Sequence, residues 1–217
     1  MKENNHHDHD HDHDHDHSPP PDEAGAPGDI QFLEMAMRQL LIEKGVIDAN
    51  EIRATIEAID AVTPALGARV VARAWCDPEF KRRLLSDGTA ACLELGIDIL
   101  PTRLVVVENS EQVHNVIVCT LCSCYPRLLL GLPPDWYKSA EYRSRVVKQP
   151  RSVLQEFGTT IPDSVAVRVH DSTADMRYLV LPLRPPGTKK FSEEELAALI
   201  TRDSMIGVTR ASAASDG

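Results

Sequence analysis

No stretch of this 217-residue chain approaches the ~20 consecutive apolar residues that a membrane-spanning helix needs, although the apolar fraction, 42%, is ordinary. The N-terminus lacks the apolar core of a secretory signal, being polar and acidic, so a cytoplasmic protein is expected. Basic residues are outnumbered, 23 Lys and Arg against 33 Asp and Glu, which leaves no footprint for nucleic acid. No internal repeat is visible. Cysteine is scarce: five residues in a reducing compartment read as ligands or reactive thiols rather than as a disulfide framework.

The negative charge is unevenly placed. Residues 1–29 carry nine of the acids and only one base, Lys2, and so hold eight of the ten net negative charges. Seven of the nine histidines lie there too, mostly alternating with aspartate between His6 and His17. Such a segment cannot bury enough apolar surface to offset its ordering entropy, so 1–29 reads as a disordered tail. Imidazole beside carboxylate favours cobalt, nickel or zinc. The tail therefore either gathers metal or is a solvated segment that binds it incidentally.

From residue 30 to 100 the pattern is a helical arm. Asp29 is placed to cap a helix through Phe32, Leu33, Met35, Ala36, Leu40 and Leu41 that stops at Gly45. A second helix runs from Glu51 to before Thr63-Pro64, and a third carries Val70, Val71, Ala74 and Trp75. Asp77-Pro78 restarts the chain in a fourth, which Gly88 interrupts and Gly96 closes. Cys76 and Cys92, isolated in these helical patterns, are expected to be small buried hydrophobes. An arm with apolar stripes and little sheet of its own is expected to pack on another subunit.

Residues 101–210 form a mixed α/β half, and 211–217 a frayed end. Leu104–Val107 and Val113–Val118 are β-branched runs joined by turn-rich Glu108-Asn109-Ser110. Asp135 is placed to cap a short turn at Trp136 and Tyr137. Tyr142 to Phe157 is helical with a break at Pro150. Val165–Val169 and Arg177–Leu181 are further strands, expected to pair through Asp171-Ser172-Thr173. Ser192 and Glu195 make a capping box for a helix over 193–200. The fold class is α+β.

Three of the five cysteines, Cys119, Cys122 and Cys124, fall within six positions at the end of a strand. If the Ser123 and Cys124 amides lose their protons, both nitrogens can hold one metal in a five-membered ring. The Cys124 sulfur closes a second ring, and the Cys122 sulfur closes a six-membered one. Two nitrogens and two sulfurs then share a plane, Cys119 caps it, and the opposite side is open. Only an acidic ion such as low-spin trivalent cobalt or iron displaces amide protons in this way. An open position on a strong Lewis acid polarises a nitrile or carbonyl, or acidifies water. Thiolates there can be oxidised to sulfenic and sulfinic acids, whose oxygens want arginine donors. Two other chemistries stay open: zinc, with His114 as a fourth ligand, and a redox pair of thiols.

The stretch Val118-Cys119-Thr120-Leu121-Cys122-Ser123-Cys124 resembles the metal-binding signature of the nitrile hydratase α subunit, with Thr120 as in the cobalt type. The resemblance extends over Ile42-Glu43-Lys44-Gly45, Ala74-Trp75 with Asp77-Pro78, Leu130-Gly131-Leu132-Pro133-Pro134, Tyr142-Arg143-Ser144-Arg145, Arg184-Pro185-Pro186-Gly187-Thr188 and Thr201–Gly207. It implies a layered α-β-β-α domain that hydrates a nitrile to an amide on one Co3+ per chain, iron being the less favoured metal. Cys119 is then the axial thiolate, Cys122 a sulfinate and Cys124 a sulfenate, with Ser123 and Cys124 giving amide nitrogens. Catalysis would rest on Cys124, Cys122 and Ser123. The resemblance also implies a β subunit, or two smaller β-like chains, supplying arginines to the oxidised cysteines, and an activator protein that inserts the metal. Where tryptophan is usual in the family this chain has Arg127, which either faces the substrate pocket or turns outward to pair with a partner's carboxylate. Cys124-Tyr125-Pro126-Arg127 resembles the γ subunit of thiocyanate hydrolase, a cobalt relative. An arginine there favours an anion or a polar nitrile.

Overall fold

The computed structural model describes residues 28–212. Expectations for the His/Asp tail over 1–27 and for 213–217 lie outside the described residues. The first elements are helices α1 (Asp29–Glu43) and α2 (Ala49–Asp60). Asp29 is not the cap expected of it: the helix starts on it, with Gly28 as N-cap donating its amide to the Gln31 side chain. Neither helix has a buried residue, and Phe32, Leu33 and Ile56 are at least half exposed (57%, 61% and 50%). Among the described residues, much of their apolar surface is left open.

Helices α3 (Ala65–Cys76), α4 (Pro78–Ser86) and α5 (Gly88–Glu94) do enter the core, through residues such as Val70, Val71, Phe80, Leu84 and Cys92. Asp77 caps α4 as its sequence predicts, accepting from the Glu79 and Phe80 amides. The break before α5 is marked by a new cap and a tightly packed glycine. Asp87 caps the new helix by accepting from Ala90, and a Cβ on Gly88 would meet the Leu104 carbonyl at 2.7 Å. Cys92 is fully buried, but Cys76 is exposed at the end of α3, so the expectation of two buried thiols holds for one.

Strands β1 (Arg103–Glu108) and β2 (Val113–Val118) follow. Helices α6 (Arg127–Leu130), α7 (Asp135–Lys138), α8 (Ala140–Lys148) and α9 (Pro150–Glu156) come next. The chain closes with β3 (Ala166–Asp171), β4 (Met176–Leu181), a 3-10 turn at Thr188–Lys190, α10 (Glu193–Ala198) and α11 (Arg202–Ile206). Ser192 and Glu195 form the expected capping box on α10. Asp135 does not cap α7; it is the first helical residue after Pro134.

The strand pairing departs most from the sequence reading. β3 does not pair with β4. β1 lies parallel to β4, Arg103 opposite Met176, and β2 parallel to β3, Val113 opposite Ala166. Parallel partners need crossover connections rather than tight turns, so the turn-like residues 171–173 join strands of different sheets. The two pairs pack through β2 and β4, whose later residues (Val116, Ile117 and Val118; Leu179, Val180 and Leu181) are buried. Burial on both faces explains their continuous apolar runs. Helices α4 and α5 cover β1, α9 covers β3, and α11 lies against β2 and β4. Each fully buried Leu, Val or Phe contributes roughly 1.5–3 kcal/mol, so this double layer is the main anchor for whatever follows β2.

Candidate metal centre at the end of β2

β2 ends at Val118, fully buried, and Cys119 is still only 1% exposed. The chain then breaks the surface: Thr120, Leu121, Cys122 and Ser123 are exposed before it returns at Tyr125. This excursion folds the three sulfurs together. Cys122 Sγ lies 3.2 Å from Cys119 Sγ and 2.9 Å from Cys124 Sγ, and all three fall within 4.8 Å of one another. The Cys122 amide also donates to Cys119 Sγ at 3.3 Å.

Both limbs of the loop are held. The Ser172 amide donates to the Val118 carbonyl at 2.7 Å. Asp171, the last residue of β3, accepts from the Thr120 amide at 2.9 Å and its hydroxyl at 2.6 Å. On the far limb, the buried Tyr137 hydroxyl donates to the Cys124 carbonyl at 2.9 Å. Tyr142 on α8 donates to the Ile117 carbonyl at 2.7 Å, inside β2. No role at the loop was read for Asp171, Tyr137 or Tyr142 from the sequence, where the first reads as a turn residue, Tyr137 as part of a short helical turn and Tyr142 as the start of a helix. Their role depends on the pairing of β2 with β3 and on the path of α7, which one chain's pattern does not display.

The thiols are electrostatically unequal. Contacts with the Cys124 and Cys119 thiols lower Cys122, outweighing desolvation, and the Cys124 and Ser123 amides act in the same direction. Cys124 is pushed up to about 12 by desolvation first, then by its contact with Cys122, while the Arg177 guanidinium acts the opposite way. Cys122 is thus a readier thiolate than Cys124.

His114 does not join them. It is buried, its Nε2 donates to the Gly207 carbonyl at 2.7 Å, and its Nδ1 faces the Asn109 side-chain amide at 3.4 Å. Both ring nitrogens are thus engaged, and among the described residues no His, Asp or Glu joins the three cysteines. Among the described residues a closed zinc site therefore lacks its fourth ligand. Arg127 opens α6 on the surface, its guanidinium 3.5 Å from Asp60 on α2.

A family profile described as "Nitrile hydratase, alpha chain" matches residues 28–209. This chain belongs to that family. It is 54% identical over 181 residues to the cobalt-containing nitrile hydratase subunit alpha of Pseudonocardia thermophila, covering 82% of this chain and 89% of that one. It is 45% identical over 192 residues to the thiocyanate hydrolase subunit gamma of Thiobacillus thioparus, with 83% and 79% covered. Among solved structures, a double mutant of the Fe-type nitrile hydratase from Comamonas testosteroni superposes with a TM-score of 0.78 at 44% identity, covering 87% of this chain and 94% of that one. A recombinant thiocyanate hydrolase with partially modified cobalt centres gives the same TM-score, 0.78, at 40% identity, with 88% and 96% covered. The α+β fold of this nitrile hydratase α-chain relative is thereby established, and both iron and cobalt proteins stand among its relatives.

Proposed function

We propose that this chain is the cobalt-bearing α subunit of a nitrile hydratase, with Cys119, Cys122 and Cys124 sulfurs and the Ser123 and Cys124 amide nitrogens as the ligands of one Co3+. The observation that carries this reading is the gathering of three sulfurs within 4.8 Å on one loop. The identity to cobalt-containing α subunits and the threonine at position 120 favour cobalt over iron. Bound there, a trivalent ion supplies a Lewis acid for the addition of water across a carbon–nitrogen triple bond. Every atom of nitrile and water is kept in the amide product.

The chain's own residues hold that site in shape. Cys119 anchors the donor set to the buried end of β2, while Asp171 and Tyr137 fix the two limbs. In this reading an external oxidant such as dioxygen takes Cys122, a readier thiolate than Cys124, to the sulfinate and Cys124 to the sulfenate. The β subunit provides arginines to these oxygens and covers the apolar faces of α1 and α2, and an activator protein inserts the metal. The five free cysteines suit a reducing cytoplasm.

One observation favours a second reading, the γ subunit of a thiocyanate hydrolase, which converts thiocyanate to carbonyl sulfide and ammonia. Arg127 follows Tyr125-Pro126, and a cation there suits an anionic substrate. The deciding experiment is co-expression with the partner chains in cobalt medium, followed by assays on nitriles and on thiocyanate. Amide formation is the expected outcome. Carbonyl sulfide in its place establishes the second reading, and inactivity on both with metal bound overturns the hydratase assignment.

A further inference from the structure

The three sulfurs are carried by a loop whose two ends are held by different means. The first limb leaves a strand buried in the sheet, and Asp171 grips it twice at Thr120. The second limb, Ser123-Cys124, carries two of the amide nitrogens and one sulfur, yet it has no strand of its own. Its carbonyl is held by one side chain, Tyr137.

Tyr137 is built to hold still. Its side chain is fully buried, and its amide donates to the Pro134 carbonyl at 3.0 Å, tying it to the start of α7. Its ring lies edge-on to Tyr125 at 5.2 Å and to Trp136 at 6.0 Å, with Tyr142 at 5.7 Å. Tyr125 directly follows Cys124, so Tyr137 meets this limb twice, by hydroxyl and by ring edge. A phenol whose ring cannot shift is a fixed donor, and a fixed donor on a carbonyl restrains the backbone torsions of that residue. Those torsions set where the Cys124 nitrogen and sulfur lie relative to Cys122 and Cys119.

We propose that Tyr137 is a positioning residue for the Cys119–Cys124 donor set: its hydroxyl fixes the Cys124 carbonyl and thereby the last nitrogen and sulfur of the loop. The proposal rests on the reading of that loop as a metal site. It treats Tyr137 as acting on the reaction through Cys124, never on the substrate. Tyr142 is the natural comparison. It is also buried, and its hydroxyl also donates to a backbone carbonyl, but that carbonyl belongs to Ile117 within β2.

The test uses the full chain assembled with its partner and loaded with cobalt, as parent, Tyr137→Phe and Tyr142→Phe. Both variants keep the ring and lose one buried hydrogen bond, so comparable falls in Tm are expected. Loss of a supporting hydrogen bond behind a metal ligand costs about 10–100-fold in metal affinity or activity. Tyr137→Phe is therefore expected to release cobalt to a chelator at least ~10-fold faster, to shift the sulfur-to-metal absorption band, and to lower kcat with KM within about twofold. Tyr142→Phe is expected to leave release rate and band position as in the parent. A second readout needs no metal: in the metal-free chain, alkylation of Cys124 should quicken in Tyr137→Phe and not in Tyr142→Phe.

Equal effects from the two variants, or none from Tyr137→Phe on release and alkylation, overturn the positioning role. A parent that binds no cobalt while the Tyr137→Phe alkylation difference persists overturns the metal reading and leaves the restraint on Cys124 standing.

Discussion

The carboxylate of Asp171, at the end of β3, takes two hydrogen bonds from Thr120, from its amide at 2.9 Å and its hydroxyl at 2.6 Å. One oxygen serves each donor, so the residue after Cys119 is fixed in two directions. Asp171→Ala removes both acceptors and is expected to cost about 10–100-fold in cobalt retention against a chelator. Asp171→Asn keeps one acceptor, and its amide can donate to the Thr120 hydroxyl, so most retention should survive. Metal content after dialysis measures this; equal retention in Asp171→Ala would show that the first limb needs no grip.

The tryptic peptide spanning 104–127 contains all three clustered cysteines and reports their oxidation. In the active protein it should gain the mass of two oxygens on Cys122 and one on Cys124, with Cys119 unmodified. Tandem mass spectrometry assigns each. Three unmodified thiols in a fully active preparation would remove oxidised sulfur from the proposed chemistry.

Burial holds the His114 imidazole below its ordinary value, the Gly207 hydrogen bond opposing and the nearby Arg210 charge assisting. With Nε2 donating to Gly207, Nδ1 is the acceptor for the Asn109 amide, and a second proton would confront that donor. The unfolded chain takes the proton first. Stability is therefore complete above about pH 6.5 and declines as pH falls from there toward the lowered folded value. His170, also lowered chiefly by burial, adds to the same slope. Urea midpoints between pH 7.5 and 5.5 should fall in the parent, and less steeply in His114→Gln. An unchanged slope in that variant would clear His114 of the effect.

Gly207 has a left-handed φ of 92°, and a Cβ there would sit 2.1 Å from the Asn115 carbonyl oxygen and 2.9 Å from the Val116 Cα. Both neighbours are β2 backbone, so neither yields cheaply. Gly207→Ala is expected to cost at least about 2 kcal/mol through strain and displacement. For a chain of this size that is a Tm loss of roughly 4–8 °C. A shift within experimental error would mean that the α11 end can move away from β2.

The Arg127–Asp60 pair is exposed, so breaking it should change stability by no more than about 1 kcal/mol. Its interest lies in specificity. Arg127→Trp is expected to fold normally and to move preference toward bulky apolar nitriles, measured as the ratio of kcat/KM values. Unchanged preference would show that Arg127 stays with Asp60 and away from the substrate.

The clustering of Cys119, Cys122 and Cys124 was legible in the sequence because they are neighbours along the chain, within six positions of one another. The helix caps at Asp77 and Ser192 were legible for the same reason. Strand partners were not. Val113–Val118 reads the same whether it pairs with β1 or β3, because a strand buried on both faces has no alternation to reveal its register. The residues that hold the loop, Asp171 and Tyr137, come with that pairing and were missed with it. Cys76 was misjudged since a helix end can expose a residue that the periodic pattern would bury.

The parallel pairing also sets a timetable for the growing polypeptide. Thr120 and Asp171 are 51 residues apart, and β1 waits for β4, later still. High contact order of this kind makes a domain slow to close. On the ribosome, Cys119, Cys122 and Cys124 therefore emerge well before the strand that steadies them, as three bare thiols on a nascent chain. Until β3 docks, the Thr120 limb lacks its Asp171 grip, so under the proposed reading orderly loading of a metal would follow synthesis of β3.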